Sequence, residues 1–163
     1  MNTCKIIDTC TLINLFSELP VDLSLCFSGY DVITTDAVIT EYTCKVPRKI
    51  PSCISVAGLD EKERKRLADF EYLFPNLGVG ERSVYAKALS LAAEGCRTVI
   101  LSDDKIAVRK MSAFSVDPKL HDFFPGAENI IWGDSVDALE KLRSKKRLSD
   151  ERFLISKKKI RPL

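Results

Sequence analysis

Short apolar runs alternate with helical patterns along this chain, and that alternation restricts the fold more than any other feature. Cys4-Lys5-Ile6-Ile7, Asp31-Val32-Ile33-Thr34, Cys53-Ile54-Ser55-Val56, Thr98-Val99-Ile100-Leu101 and Asn129-Ile130-Ile131-Trp132 read as strands. The first intervening helix starts at about Thr11, where Leu12, Leu15 and Phe16 recur at helical spacing. The second is capped by Thr35 or Asp36 and runs to about Cys44, ahead of Pro47. A charged helix opens at Asp60 and acquires an apolar face at Leu67, Phe70 and Leu73. Gly78-Val79-Gly80-Glu81 opens the strongest helix, which carries Val84, Ala88, Leu91 and Ala92 and ends at Gly95. Residues 105–111 form another, and Asp134 or Ser135 caps the next, with Val136, Leu139 and Leu142 on its apolar side. Strands separated by helices indicate βαβ units, hence an α/β fold with a parallel sheet of four to five strands. Residues 112–128, with Pro118, Pro125 and Gly126, read as loop around at most one or two helical turns.

Acidic residues punctuate this pattern. Asp8 closes the first strand and Asp103-Asp104 close the fourth, at the carboxyl ends where open parallel sheets bind their ligands. Asp8 is either the N-cap of the helix that follows or a ligand. Thr9 and Thr11 are able to cap in its place, which favours the ligand reading. Glu41 shares a helix side with Ala37, Val38 and Cys44, and a glutamate on an apolar side needs a partner. Glu81 sits at a helix start, where the helix dipole alone would favour a carboxylate. Of the late pair, one acid caps the following helix and leaves the other for chemistry, with Ser102 supplying a hydroxyl beside them.

Carboxylates that converge repel one another, by ~4 kcal/mol per pair at about 4 Å and an effective dielectric of roughly 20. A divalent cation offsets that cost, and oxygen ligands select hard ions, Mg²⁺ or Mn²⁺ rather than zinc. Such an ion activates water and polarises a phosphoryl oxygen, so the implied reaction is phosphodiester hydrolysis. Nucleophilic Ser/His or Cys/His catalysis is poorly served, because the only histidine, His121, stands in a proline-flanked segment of undefined structure.

Composition narrows the partners. Residues 141–163 hold ten Lys/Arg against Asp150 and Glu151, a balance of +8, which leaves −6 on residues 1–140 of a chain whose net charge is +2. An acidic body with a basic tail fits an acidic site assisted by a cationic arm in reading a phosphate polymer; a solvated C-terminal helix is the plainer account. Lys145, Lys146, Arg147, Lys157, Lys158 and Lys159 are the candidate nucleic-acid contacts. The six cysteines lie among apolar neighbours without a Cys-x-x-Cys pair, so free core thiols are expected rather than disulfides or a zinc site. Lys5, Asp8 and Asn14 interrupt any secretory signal, and no run approaches the roughly 20 apolar residues of a membrane span, so a cytoplasmic protein without membrane contact is expected. At 163 residues, one domain is the simplest organisation.

With these pieces in place the chain resembles the PIN-domain ribonucleases. The resemblance rests on Ile6-Ile7-Asp8-Thr9-Cys10-Thr11-Leu12-Ile13, Val38-Ile39-Thr40-Glu41, Gly78-Val79-Gly80-Glu81-Arg82-Ser83 and Val99-Ile100-Leu101-Ser102-Asp103-Asp104-Lys105, taken in order and spacing. It implies a three-layer α/β/α sandwich, with residues 1–145 as the PIN-like domain and 146–163 as its basic C-terminal extension. It further implies that Asp8 and Asp104 are the principal metal ligands, that Glu41 and Glu81 complete the catalytic pocket, and that Thr9 and Ser102 orient ligands or water. Glu81 and Asp103 are candidate further ligands. Cys10 departs from the Asn or Ser common near the first aspartate, and residues 112–128 are longer than the family leads one to expect. Prokaryotic relatives include many toxins held by a small antitoxin, and many dimerise, so RNA, an antitoxin and a second copy are the partners implied.

Three alternatives compete. A phosphoaspartate enzyme of the haloacid-dehalogenase type needs an acid two positions after the first aspartate, where this chain has Cys10. A receiver domain needs its acidic pair near the first strand, and here the pair comes late. A non-catalytic PIN-like module that binds RNA or protein keeps the fold and the tail but not the metal.

Overall fold

The structure, a computed structural model, describes residues 3–17, 23–120, 122 and 124–160. His121 lies outside the described residues. Five strands are present: β1 Thr3–Ile7, β2 Asp31–Thr35, β3 Ser55–Ala57, β4 Arg97–Leu101 and β5 Ile130–Gly133. They form one sheet in the order β3-β2-β1-β4-β5, every neighbouring pair parallel. The helices are α1 Thr9–Phe16, α2 Asp36–Lys45, α3 Glu61–Leu73, α4 Val79–Ala93, α5 Lys105–Val116, α6 Ser135–Ser144 and α7 Asp150–Lys159, with a 3-10 turn at Ala127–Asn129.

The architecture is the expected three-layer α/β/α sandwich. Helix α4 lies across β1, β2, β4 and β5, with α2 and α3 packed on it, while α6 packs with α1, α7 and β5. The two sheet faces separate at neighbouring residues of β5: Trp132 meets the ring of Tyr85 from α4, whereas Ile131 opens toward α6. Most of α4 is buried, including Val84, Ala88 and Ala92 of the expected stripe, because sheet and helices cover it together. Phe70, Phe74, Tyr85, Phe114 and Phe124 form an aromatic cluster against α4.

Strand order decides where a site can form. From β1 the chain moves outward through β2 and β3, then returns to the other side of β1 for β4 and β5, so the order reverses between β1 and β4. Crevices form at the carboxyl ends of strands at such a switch point. In-register pairing of Ile7 with Leu101 ends both strands at the same level, and the Asp8 amide continues the ladder to the Leu101 carbonyl at 3.2 Å.

Several expectations are corrected. Helix α1 begins at Thr9, with Asp8 as its N-cap in place of Thr9 or Thr11. β3 starts at Ser55, because the Ile54 amide turns back to the Pro51 carbonyl at 3.0 Å and removes Cys53 and Ile54 from the strand. Helix α5 runs on to Val116, since no helix breaker intervenes before Asp117-Pro118, where the pre-proline restriction ends it. Of the six cysteines expected as core thiols, Cys4 and Cys26 are buried, Cys10, Cys53 and Cys96 are half-buried and Cys44 is exposed.

Gly126 takes φ +91°, and a Cβ there would fall 2.6 Å from the backbone nitrogen of Ala93 at the end of α4. The left-handed backbone alone costs an L-residue roughly 1–2 kcal/mol, and here the obstacle is backbone that cannot rotate aside. Gly126→Ala should therefore lower the melting temperature by several degrees, at roughly 2–4 °C per kcal/mol. Gly58→Ala, whose Cβ would meet nothing within 4 Å, should leave it nearly unchanged. Equal melting temperatures for the two variants would show that this turn does not hold α4 against the β5 approach.

Candidate functional site

Every acid singled out in the sequence lies at or near the carboxyl edge of the sheet, but the acids divide into two groups by what their oxygens do. Asp103 and Glu41 are bonded at both oxygens. Asp8 and Glu81 each keep one buried oxygen without a partner.

Asp103 accepts from the Ser135 amide at 2.9 Å on Oδ1, and from Asn14 Nδ2 at 2.8 Å and the Ser135 hydroxyl on Oδ2. It ties the end of β4 to α1 and to the first turn of α6. As one of the expected metal ligands it is therefore already engaged by protein donors, and its role is to hold three elements together. Asn14 is the partner that sequence reasoning missed. Its signal was a buried amide on an apolar helix side, because such a group must find an acceptor.

Glu41 accepts from the Thr9 hydroxyl at 2.7 Å on Oε2 and from the Gly80 amide at 2.9 Å on Oε1. The partner that its helix side demanded is thus the opening turns of α1 and α4. A Cβ on Gly80 would lie 2.5 Å from Glu41 Oε2, so the bridge needs glycine there. A second link reinforces it: Thr35 caps α2, its Oγ1 lies 2.6 Å from Ser83 Oγ, and the Ser83 hydroxyl donates to the Gly80 carbonyl at 2.7 Å. These contacts fix the first turn of α4, which carries Glu81.

Asp8 is almost wholly buried. Its Oδ1 accepts from the Thr11 amide at 2.8 Å, while Oδ2 has no partner. Burial pushes its pKa up to about 7, with the nearby Asp103 charge adding to the rise. The hydroxyls of Ser102 and Thr11 stand close enough to favour its charged form, although neither has a partner at hydrogen-bond geometry. Glu81 folds back toward Gly78 and leaves Oε2 buried without a partner at hydrogen-bond geometry; burial, then the Glu41 and Asp104 charges, raise its pKa, while the Glu81 and Gly78 amides stand close enough to favour its charged form. Asp104 caps α5, taking the Ile106 and Ala107 amides on the single oxygen Oδ1 at 2.9 Å each, so the cap of the late pair is Asp104 and its Oδ2 is left over. Cys10 sits amid Asp8, Glu81 and Asp104, and burial with those charges pushes its thiol up to about 12. A thiol held neutral in this way is no nucleophile.

The donors that remain, Asp8 Oδ2, Glu81 Oε2, the second Asp104 oxygen and the Ser102 hydroxyl, are all hard oxygen ligands that suit Mg²⁺ or Mn²⁺. As the side chains stand, no three His, Cys, Asp or Glu among the described residues are drawn together into a closed metal-holding group. The two orphaned buried oxygens are nevertheless what a bound cation would satisfy.

The basic residues divide by position. Arg143 pairs with Asp150 and Lys157 with Glu140, which sets α7 antiparallel to α6. Lys157, Lys158 and Lys159 therefore lie toward the α6 start that Asp103 holds. Lys145, Lys146 and Arg147 follow the far end of α6, where Arg147 donates to the Cys26 and Ser28 carbonyls and lies 4.7 Å from the Tyr30 ring centroid. The tail is part of the fold, since Leu148 and Phe153 are buried. No helix among the described residues is long and apolar enough to cross a membrane. Compared with protein-family models, curated proteins and solved structures, the chain matches none.

A carboxyl whose folded pKa is raised from 3.8 to about 7 favours the folded state at low pH, and that stability is lost as pH rises through this window. Asp8→Asn keeps the cap acceptor and removes the buried charge. Without divalent metal it should melt several degrees above wild type at pH 8, and the gap should close toward pH 4. A variant that melts at or below wild type at pH 8 would contradict the burial of this charge.

Proposed function

We propose that the protein is a divalent-metal-dependent endoribonuclease of the PIN type, hydrolysing phosphodiester bonds of RNA. The observation that carries the reading is the pair of buried, unpartnered carboxylate oxygens of Asp8 and Glu81 beside the switch point between β1 and β4. A protein that needed these acids only for folding would bond both oxygens, as it does at Asp103 and Glu41.

Asp8, Glu81 and Asp104 would hold the ion. Once bound, Mg²⁺ or Mn²⁺ supplies Lewis acidity toward a phosphoryl oxygen and toward the attacking water. The chain's own residues set the geometry: Glu41 fixes the α4 turn that carries Glu81, Asp103 fixes the end of β4 that carries Asp104, and Thr9 orients Glu41. Ser102, whose buried hydroxyl stands near Asp8, would orient water or a ligand. Lys157, Lys158 and Lys159 would meet the phosphates of a polymer entering over the acidic edge. The expected antitoxin, the toxin role and self-association belong to the same reading, as do the cytoplasmic location and the family itself.

Metal-stripped protein given Mn²⁺ should cleave single-stranded RNA, and Asp8→Asn or Asp104→Asn should each slow cleavage by at least about a hundredfold. Cleavage undiminished in both variants would end this reading. Calorimetry separates the rival, since a non-catalytic module gives no Mn²⁺ binding in the wild type. Growth arrest on expression should vanish with Asp8→Asn; arrest that persists would remove the toxin role.

The tail makes a separate prediction. Replacing Lys157, Lys158 and Lys159 by Gln should flatten the salt dependence of RNA affinity by a log–log slope of about 2, at ~0.7 per phosphate contact on single strands. An unchanged slope would assign these lysines to protein contacts.

A further inference from the structure

A second site lies away from the acidic centre, on the opposite face of the sheet from α4. A cavity of about 690 Å³ opens between β1, β4 and β5 and the inner side of α6, a size that suits a small organic ligand. Its floor is the sheet itself, where Val99 and Ile131 present apolar surface and Leu101 is buried. Ile131 remains 41% exposed, so neighbouring elements leave part of this floor open.

Cations border the floor. Lys5 rises from the middle of β1, Lys141 faces it from α6, and Arg97 stands at the start of β4. None of the three has an ion-pair partner among the described residues. Lys5 is half-buried, and its ammonium lies 4.0 Å from the Tyr30 ring centroid, with the Arg147 guanidinium over the same ring. Burial lowers the Lys5 pKa and the Lys141 charge lowers it further, so an anion between them would relieve both. Asp31 and Asp137 also border the cavity. They disfavour a polyacidic segment but offer acceptors to hydroxyl or amine groups.

We propose that this cavity binds a nucleoside monophosphate, with the phosphate between Lys5 and Lys141, the base on Val99 and Ile131, and the sugar hydroxyls toward the bordering carboxylates. The elements match in kind. A bare anion would leave the floor unused, and an apolar ligand would leave the lysines unpaired. The site shares no side chain with the proposed metal centre and does not depend on it.

The test is calorimetric titration in EDTA with AMP, adenosine, ribose 5-phosphate and orthophosphate as probes. EDTA removes any contribution of divalent metal, so the result is separable from that of the nuclease assay. AMP should bind one to one, with adenosine, ribose 5-phosphate and orthophosphate each at least about tenfold weaker. Lys5→Gln and Lys141→Gln should each weaken AMP at least about tenfold. Lys141 is exposed on α6, so its variant should melt like wild type and keeps the test valid should Lys5→Gln fail to fold. Three outcomes overturn the proposal: no AMP binding at millimolar concentration, AMP binding undiminished by Lys141→Gln, or orthophosphate binding as tightly as AMP.

Discussion

The in-register pairing of β1 with β4 is the contact on which the rest of the structure depends. It sets Ile7 beside Leu101 at the point where strand order reverses, so the residues that follow, Asp8 on one strand and Ser102 to Asp104 on the other, emerge side by side. Carboxylates so placed would spread apart unless the elements that carry them are fixed from below. Asp103 performs that function between β4, α1 and α6, and Glu41 between α1, α2 and α4. Two of the acids are therefore scaffold, and their fully bonded state sets apart the buried, unbonded oxygens of Asp8 and Glu81.

A buried carboxylate with an unused oxygen reduces stability, and the fold tolerates two of them around Cys10. Asp8, pushed up to about 7 by burial, sits next to a thiol that the same surroundings hold neutral. Such a patch is costly as folding chemistry, and the proposed cation is what would offset that cost. Glu81 and Asp104 share the same field, since the charge of Asp104 raises the pKa of Glu81.

Much of this was legible in the chain. Apolar runs that stop at an acid located β1 and β4, and capping chemistry located α2, α4 and α6 to within a residue or two. The five strands and the parallel sheet follow from that alternation. Three things were not legible. Pattern carries no record of sheet order, so the switch point had to be seen. The division of roles among the acids depended on partners distant in sequence, such as Asn14 for Asp103 and Gly80 for Glu41. The ends of β3 and α5 were set by a local turn at Pro51 and by Pro118, which periodicity does not weigh. The cavity beside Lys5 was invisible for a further reason: it arises where α6 leaves part of a sheet face open, a property of packing rather than of any motif.

In the proposed reading the unpartnered oxygens of Asp8 and Glu81 belong to one cation site. Crystals soaked in Mn²⁺ and measured at the manganese edge test it most directly. A single strong anomalous peak is expected within coordination distance of Asp8 Oδ2 and of a Glu81 or Asp104 carboxylate oxygen, absent from Asp8→Asn crystals. A fully soaked wild-type crystal without a peak at the β1-β4 edge would contradict it.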